Sequence, residues 1–267
     1  MRRRGWFGVL LVASLATVLC FLALPIVAIF LDTGPLDLIA SLGEEGALDA
    51  LRLSLVCSSI AVAIVVLVGT PAAYGLATRR FRGRAALVTL VELPLVLPPA
   101  VAGIGLLAAL GPEGLLGGLI EGAGIQLVLT TLGVIVALAF VSAPFFLRQA
   151  QSAFEALDPT WLDASRTLGA SEPRTFLAVA VPTAGPGLLS GLALAWGRAL
   201  GEFGATLMFA GSFRGITQTV PLAIYQDFST DFTGALALSA VLVAVSAALL
   251  LSVKLLSGSA WLGGAGR

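Results

Sequence analysis

Two oppositely charged side chains lie four residues apart within an apolar stretch of the sequence. They are Arg198 and Glu202, in the segment WGRALGEFGA. Residues four apart share one face of a helix, so the two charges can neutralise each other as an internal salt bridge. Because a charge inside a membrane-length apolar stretch is costly, it also counts as a functional hypothesis. In that second interpretation the pair lines a pathway, and Arg198 attracts a passing anion.

Glycine recurs around this charged pair, at Gly197, Gly201 and Gly204. Small residues let two helices approach closely inside a membrane. We therefore expect these glycines to face another helix, or a second copy of the chain, and to form part of the lining of a central pathway.

A third charged residue, Glu92, stands before a proline-rich stretch. It lies in VELPLVLPP, seven residues inside its apolar run, and therefore about 10 Å deep at the helical rise. Proline at 94, 98 and 99 removes backbone donors and predicts a broken or kinked helix. The carbonyl groups freed around Pro94 and Pro98 must then face protein or a water-filled cavity. The sequence names no partner for Glu92.

The longest stretch between apolar runs, residues 149–184, carries strong helix punctuation. Asp158 offers an N-cap, Pro159 suits the first helical position, and Gly169 suits a left-handed C-cap. These residues predict a short helix from Pro159 to Leu168, whose capped ends resist fraying.

A second helix is predicted to follow Gly169. Ser171 is expected to cap it, Pro182 to end it, and Pro186 to mark the entrance to the next apolar run. The alternative is that the whole stretch is an amphipathic connector lying on the membrane surface.

The composition is typical of a membrane protein, and it indicates which kind of secondary structure positions these residues. Of the residues, 58% are hydrophobic and 11% are charged, against about 25% charged in ordinary globular chains. A water-soluble fold is excluded, because too few polar groups exist to cover its surface. Cys20 and Cys57 lie in apolar runs and are expected to pack as small hydrophobic residues.

Several kinds of site are excluded by the same inventory. The chain has no His, which removes His-based triads and His metal sites. Its one lysine, Lys254, lies outside any phosphate-cradling glycine loop. We therefore expect no catalytic residue, metal site or nucleotide site in this chain, and no nucleic-acid partner.

Six stretches have the length and low charge of a membrane helix. About 20 apolar residues cross the roughly 30 Å of hydrocarbon, and a helix satisfies its backbone groups within itself. The first stretch follows three arginines but is too long for a signal peptide, so we expect it to be retained. The prediction is an all-α, polytopic membrane bundle, a single domain over 1–267. Its helices are expected at 7–31, 53–78, 85–110, 125–147, 185–210 and 232–253.

Basic residues favour one side of this bundle. If six helices alternate, the side of the N-terminus holds twelve basic and four acidic residues, and the other side holds two basic and nine acidic residues. The excess of basic residues marks the cytoplasmic side. Both termini and the segment 149–184 are therefore predicted to be cytoplasmic.

That cytoplasmic segment resembles a signature of the membrane subunits of bacterial ABC importers. Asp163-Ala164-Ser165, then Gly169, then Val179 to Pro182 is similar to E-A-A-x₃-G-x₉-I-x-L-P, with Asp for Glu and Ser for the second Ala. The resemblance implies that the short helix fits a cleft on a separate ATP-hydrolysing subunit and transmits its closure. Small residues at 164 and 165 would permit close approach, and Trp161, Leu162 and Leu168 would supply apolar anchors. The residues assigned to this coupling contact are Pro159, Trp161, Leu162, Asp163, Ala164, Ser165, Leu168 and Gly169.

The membrane part is similar to the permease of molybdate ABC importers. The resemblance rests on LPLVLPPAVAG at 93–103, GEFGATLMFAG at 201–211 and GITQTVPLAIY at 215–225. Sulfate permeases share the Gly-Glu-aromatic-Gly pattern but usually diverge after it, so 206–208 and 217–219 favour molybdate. The residues predicted for the translocation pathway are Glu92, Pro94, Pro98, Arg198, Gly201, Glu202, Gly204 and Thr206.

The resemblance implies a type I importer permease fold in the cytoplasmic membrane, surrounded by lipid. It also implies a homodimer, two cytoplasmic ATPase subunits and an extracytoplasmic oxyanion-binding protein. ATP and magnesium would be bound by the ATPase subunits, this chain would hold no cofactor, and molybdate or tungstate would be the transported ligand.

Alternatives remain open at this point. Molybdate, tungstate and sulfate are all tetrahedral dianions bound by N–H and hydroxyl donors, so a sulfate permease is the nearest alternative. An ion-coupled secondary transporter would also explain broken helices and buried charges. It would be expected to show a second proline-interrupted span, and Pro182 and Pro186 are predicted to precede their helix rather than to split it. A structural membrane protein is the third class, and it would not predict the capped cytoplasmic helix.

Overall fold

The computed structural model describes residues 4–34, 43 and 46–264. Within them the chain is helical, with short turns and no β-strand. Eleven helices, α1 to α11 in chain order, are assigned among these residues. They are Arg4–Asp32, Ala47–Thr78, Arg84–Val96, Pro99–Leu110, Gly117–Gly122, Thr131–Glu155, Pro159–Thr167, Glu172–Leu200, Gly204–Ala210, Val220–Asp227 and Phe232–Gly264.

Five of these helices are long and apolar enough to cross a membrane: α1, α2, α6, α8 and α11. The pair α3 and α4 makes a sixth if it counts as one span, and its two halves are bent by 118°. The predicted all-α bundle of up to six membrane helices is confirmed. The predicted break in the third span is confirmed as well, since α3 ends at Val96 and α4 begins at Pro99.

Helix α6 lies at the centre of the fold and packs against both α2 and α8. It begins where the hydroxyl of Thr130 accepts a hydrogen bond from the backbone N–H of Gly133 at 3.3 Å. Phe146 on α6 is fully buried. A Cβ at Gly69 of α2 or at Gly191 of α8 would lie 3.0 or 3.2 Å from its ring. Glycine on both neighbouring helices therefore makes room for this one large side chain.

The fourth and fifth spans differ from their predicted bounds. The helix predicted at 125–147 begins at Thr131 and continues to Glu155, because the charged residues near its end do not interrupt the helix. The helix predicted at 185–210 begins at Glu172 and ends at Leu200. It is followed by a break and by the separate helix α9.

Pro182 was predicted to end the helix after Gly169, and Pro186 to mark the entrance to the next span. Both predictions are wrong, since the two prolines lie within the single helix α8. A π-helical turn over Phe176–Ala180 precedes Pro182, and the N–H of Val181 donates to the carbonyl of Phe176. Proline lacks an N–H and its ring presses on the carbonyl four residues earlier, and the wider turn accommodates both. The hydroxyl of Thr183 also donates to the carbonyl of Val179 at 2.7 Å within this turn.

Two further predictions concern the cysteines and the distribution of charge. Cys57 is fully buried in the core, as predicted, whereas Cys20 is exposed on α1, which packs against α11. Part of the charge count used for orientation falls outside the described residues, namely Arg2, Arg3, Asp37, Glu44, Glu45 and Arg267.

Candidate coupling helix and transport path

Helix α7 has the caps that its sequence predicts. The carboxylate of Asp158 accepts a hydrogen bond from the N–H of Thr160 at 2.9 Å, and Pro159 occupies the first turn. The Thr160 amide lowers the pKa of Asp158 below its usual value, because the hydrogen bond favours the charged carboxylate. Gly169 adopts a φ of +83° just beyond the helix, in the left-handed region that favours glycine.

The faces of α7 separate residues that the sequence analysis had grouped together. Leu162 is only 7% exposed and packs in the core of its own chain. Ser165 is half-buried, with its hydroxyl 3.0 Å from that of Thr175 on α8. Leu162 was predicted to anchor a partner, and this prediction is wrong for the chain as folded here: it anchors α7 to its own bundle.

The outward face of α7 is apolar. Trp161 and Leu168 are 54% and 88% exposed, and Ala164 between them is also exposed. Spacings of three and four residues place all three on one side of a helix. We call Trp161, Ala164 and Leu168 the outer stripe of α7.

Arg166 fastens α7 to the start of α8. Its guanidinium is 2.9 Å from Asp163 and 2.7 Å from Glu172, and these two carboxylates raise the pKa of Arg166. Ser171 occupies the N-cap position of α8, as predicted, but its side chain makes no capping hydrogen bond. The turn is therefore held by charge-assisted bonds between the two helices.

Arg198 and Glu202 form the ion pair that their spacing predicts, with Nη2 and Oε2 2.6 Å apart. The Glu202 side chain is 1% exposed and that of Arg198 is 26% exposed. The other carboxylate oxygen of Glu202 accepts a hydrogen bond from the N–H of Ala205 at 2.7 Å. Glu202 therefore also serves the N-terminus of α9, where a negative charge is favoured.

A second interrupted span lies in the second half of the chain. Helix α8 ends at Leu200, and α9 begins at Gly204 after three non-helical residues. From the sequence, proline was the expected cause of such an interruption. Here Gly201 ends one helix and the Glu202 carboxylate starts the next, so no proline is needed.

The two interruptions lie against each other. A Cβ at Gly204 would come within 2.8 Å of the Cβ of Pro99. A Cβ at Gly103 would come within 2.7 Å of the Cβ of Met208 and 2.8 Å of the carbonyl oxygen of Ala205. Gly204 therefore faces another helix, as expected, and that helix is α4 of the same chain. Gly103 was missed by the sequence analysis, because its partner lies about a hundred residues away.

Gly197 and Gly201 differ from Gly204. A Cβ at Gly197 would meet nothing within 4 Å, and one at Gly201 only the Gly197 carbonyl at 3.6 Å. Both are exposed. Thr206 is fully buried and its hydroxyl donates to the carbonyl of Phe203 at 2.8 Å. The hydroxyl of Thr206 therefore faces its own backbone rather than an open path.

Glu92 has a partner that the sequence did not identify. Its carboxylate pairs with the guanidinium of Arg148 on α6. Arg148 had been counted among the cytoplasmic loop charges, but α6 extends past it. Pro94 lies within α3, and Pro98 occupies the N-cap position of α4. Both prolines therefore stand at or beside the break that they were expected to cause.

Beyond α9 lies a partly open cavity of about 580 Å³. Ser212, Gln226 and Thr230 give it polar groups, and Leu207 and Tyr225 give it apolar walls. The ring of Tyr225 packs against that of Phe203, with centroids 4.9 Å apart. One wall of the pocket, Tyr225, therefore contacts Phe203 in the break between α8 and α9, and no local sequence pattern had indicated the pocket.

Residues 66–260 match the family described as binding-protein-dependent transport system inner membrane component. The chain is 41% identical over 233 residues to the molybdenum transport system permease protein ModB of Mycobacterium tuberculosis, covering 87% of this chain and 88% of that one. It is 36% identical over 210 residues to the sulfate transport system permease protein CysT of Salmonella typhimurium, covering 78% and 75%.

A solved structure has a similar fold. It is a bacterial ABC transporter involved in the import of the acidic polysaccharide alginate, with a TM-score of 0.76 at 18% identity. The match covers 96% of both chains. At this identity the likeness establishes the fold.

Proposed function

Since the chain belongs to the family of binding-protein-dependent transport system inner membrane components, we propose that it is the membrane subunit of an ATP-driven importer of molybdate or tungstate. It is a multi-pass protein of the inner membrane with the type I ABC importer permease fold. The observation that carries the proposed substrate is the 41% identity to the molybdenum permease, which is higher than the 36% identity to the sulfate permease.

Energy would enter through a separate ATPase subunit that binds ATP and magnesium. The outer stripe of α7 supports this part of the proposal. It is an exposed apolar surface on a helix whose two ends are fixed by Asp158 and Gly169, and whose turn is fixed by Arg166. A helix so constrained moves as one body when a partner displaces it. Leu162 and Ser165 would pass that displacement into the bundle.

A second copy of the chain would complete the path. Gly197 and Gly201 are exposed next to the Arg198–Glu202 pair and meet no other helix of this chain, which supports a close approach by the second copy. Arg198 retains partial exposure while Glu202 is buried, so Arg198 is the member of the pair that a passing oxyanion would meet. An extracytoplasmic binding protein would deliver that anion.

Uptake in liposomes tests the proposed function. The chain is reconstituted with its ATPase subunit and the oxyanion-binding protein. ATP is supplied on the side of the membrane that carries the ATPase subunit. We expect ATP-dependent uptake of molybdate that tungstate suppresses at low concentration and sulfate only at much higher concentration. Uptake of molybdate by this chain alone, driven by a proton gradient, would instead establish a secondary transporter.

Sulfate import is the second candidate, because the chain is also similar to a sulfate permease over most of its length. The same competition assay separates the two candidates. If unlabelled sulfate suppresses uptake as well as molybdate does, the preference for molybdate is wrong while the importer assignment stands.

Loss of the outer stripe tests the ATPase contact. Leu168→Ala should weaken co-purification of the ATPase subunit by about tenfold, the usual effect of a well-packed interface anchor. Leu119→Ala is the matched control, because it removes the same side chain from a position that is 74% exposed on α5. Equal co-purification of both variants would contradict the assigned contact.

A further inference from the structure

Helix α3 is the least buried part of the membrane bundle after α1. None of its thirteen residues, all of them described, is buried. Its main packing partner is α6. Apolar burial therefore contributes little to holding α3, and its polar contacts with α6 gain importance.

Two ion pairs of opposite polarity join α3 to α6. Arg84 on α3 pairs with Glu155 on α6 at 2.5 Å, and Glu92 on α3 pairs with Arg148 on α6. On α3, Arg84 and Glu92 are eight residues apart, and on α6, Arg148 and Glu155 are seven residues apart. At about 1.5 Å per residue these spacings are roughly 12 and 10 Å, so the two pairs match along antiparallel helices. We call these four residues the charge ladder.

We call Arg84–Glu155 the lower pair and Glu92–Arg148 the upper pair. Further hydrogen bonds hold both residues of the lower pair. Nε of Arg84 also donates to the carbonyl oxygen of Leu76 at 2.6 Å, which ties the end of α2 to the same guanidinium. Gln151 donates to the same oxygen of Glu155 at 2.9 Å. The lower pair therefore orients α3 relative to α2 as well as α6.

The position of the ladder connects the two functional regions. Glu155 is the last residue of α6 and lies three residues before Asp158, the N-cap of α7. Glu92 lies two residues before Pro94 and six before Pro98, where the span breaks. One end of the ladder is thus next to the coupling helix and the other next to the break.

We propose that the charge ladder is the positioning device that transmits movement of α7 to the broken span α3–α4. The inference rests on the proposed function, and it assigns roles to Arg84, Arg148 and Glu155 that the predicted pathway did not include. When α7 is displaced, the end of α6 moves with it, and the two ion pairs carry α3 along. The break at Leu97 and Pro98 then converts that motion into a change of angle between α3 and α4.

Two pairs transmit motion better than one. A single ion pair fixes one point and leaves α3 free to rotate about it, whereas two pairs about 10 Å apart along the axis also fix its direction. The alternating signs prevent a shift in register, since sliding α3 along α6 would bring like charges together.

The test uses the complete complex and measures molybdate uptake per ATP hydrolysed. Glu92→Gln/Arg148→Gln removes the upper pair without leaving an unpaired charge, and Glu92→Arg/Arg148→Glu restores a pair with its polarity reversed. Arg82→Gln/Glu121→Gln is the matched control, since it removes one basic and one acidic exposed side chain outside the ladder. Assembly with the ATPase subunit is measured for every variant.

We expect the double-neutral variant to assemble and hydrolyse ATP, with uptake per ATP reduced about fivefold. The reversed pair should recover most of the wild-type ratio, because the attraction between the helices is restored. If the upper pair had a purely structural role, its loss would instead reduce assembly, and the complexes that still assemble would show unchanged uptake per ATP. A double-neutral variant with the wild-type ratio, or a reversed pair with no recovery, would overturn the inference.

Failure of the proposed function gives a different result. If the wild-type complex shows no ATP-driven uptake of any of the three oxyanions, both proposals are overturned. If the wild-type complex transports and the double-neutral variant transports equally well per ATP, only the role of the charge ladder is overturned.

Discussion

A single methyl group added at Gly103 should force α4 and α9 apart. The new Cβ would lie 2.7 Å from the Cβ of Met208 and 3.0 Å from the Cα of Ala205. Carbon atoms in ordinary contact are about 3.5 to 4.0 Å apart, so the overlap is roughly 1 Å. The atoms that it meets belong to the backbone of α9 or lie next to it. They cannot rotate away, and one helix has to move.

The effect of Gly103→Ala on the free energy of unfolding is the sum of two opposing terms. Overpacking of a closely packed contact costs about 1–3 kcal/mol. Replacing glycine by alanine within a helix gains about 1 kcal/mol. Gly105→Ala in the same helix receives only the second term, because a Cβ there meets nothing within 4 Å. The difference in unfolding free energy between the two variants is therefore the overpacking term, about 1–3 kcal/mol.

Thermal unfolding of the purified chain in one detergent measures this difference. Each 1 kcal/mol shifts the Tm by about 2–4 °C for a chain of roughly this size, so Gly103→Ala should unfold about 2–12 °C below Gly105→Ala. Both variants should retain the same helix content by circular dichroism. Midpoints within about 1 °C of each other would refute the close approach of α4 to α9.

Three further outcomes are expected. Gly169→Val should uncouple ATP hydrolysis from uptake while the complex still assembles, because a β-branched residue resists the φ of +83°. Gly169→Asn should retain coupling, and undiminished uptake by the Val variant would count against this role. Asp158→Ala should weaken ATPase co-purification and Asp158→Asn should not, because only Ala lacks an acceptor for the Thr160 N–H. The pKa of Asp158 is lowered by folding, so the part of its capping contribution that depends on the negative charge is complete above the unfolded pKa and is lost as pH falls through the lowered folded pKa. The protonated side chain still accepts the Thr160 N–H, as Asn does, so co-purification of the wild type at low pH should fall no further than that of Asp158→Asn. Arg198→Gln should lower the Tm more than Glu202→Gln, because it leaves the buried Glu202 carboxylate without its ion partner, whereas Gln at 202 still accepts the hydrogen bond from the Ala205 N–H. A larger loss in Glu202→Gln would contradict this order.

Local chemistry was sufficient for several features of the fold. Pro94 and Pro98 predicted the break in the third span, because proline acts on the backbone of its own turn. Asp158 and Gly169 predicted the limits of α7 for the same reason. The four-residue spacing predicted the Arg198–Glu202 pair, since both side chains are carried by one helix.

Prolines were misleading where the backbone adapted to them. Pro182 is kept within α8 by the π-helical turn before it, and such a turn depends on how the surrounding helices hold the backbone. The break in α8 occurred at Gly201 instead, where the buried Glu202 starts a new helix. A sequence pattern ranks proline above glycine as an interrupter, and tertiary packing reversed that order here.

The sequence by itself determined that this protein is a helical membrane bundle with a short capped helix, α7, because hydrophobic length and capping act within about twenty residues. Only the tertiary structure decided that Leu162 faces its own core, that Gly103 abuts Met208, and that Arg148 is the partner of Glu92. The residues of the latter two pairs are separated by many turns of chain, and their distances depend on how whole helices cross. A helical period specifies which face a residue occupies, but the packing of neighbouring helices specifies what that face meets.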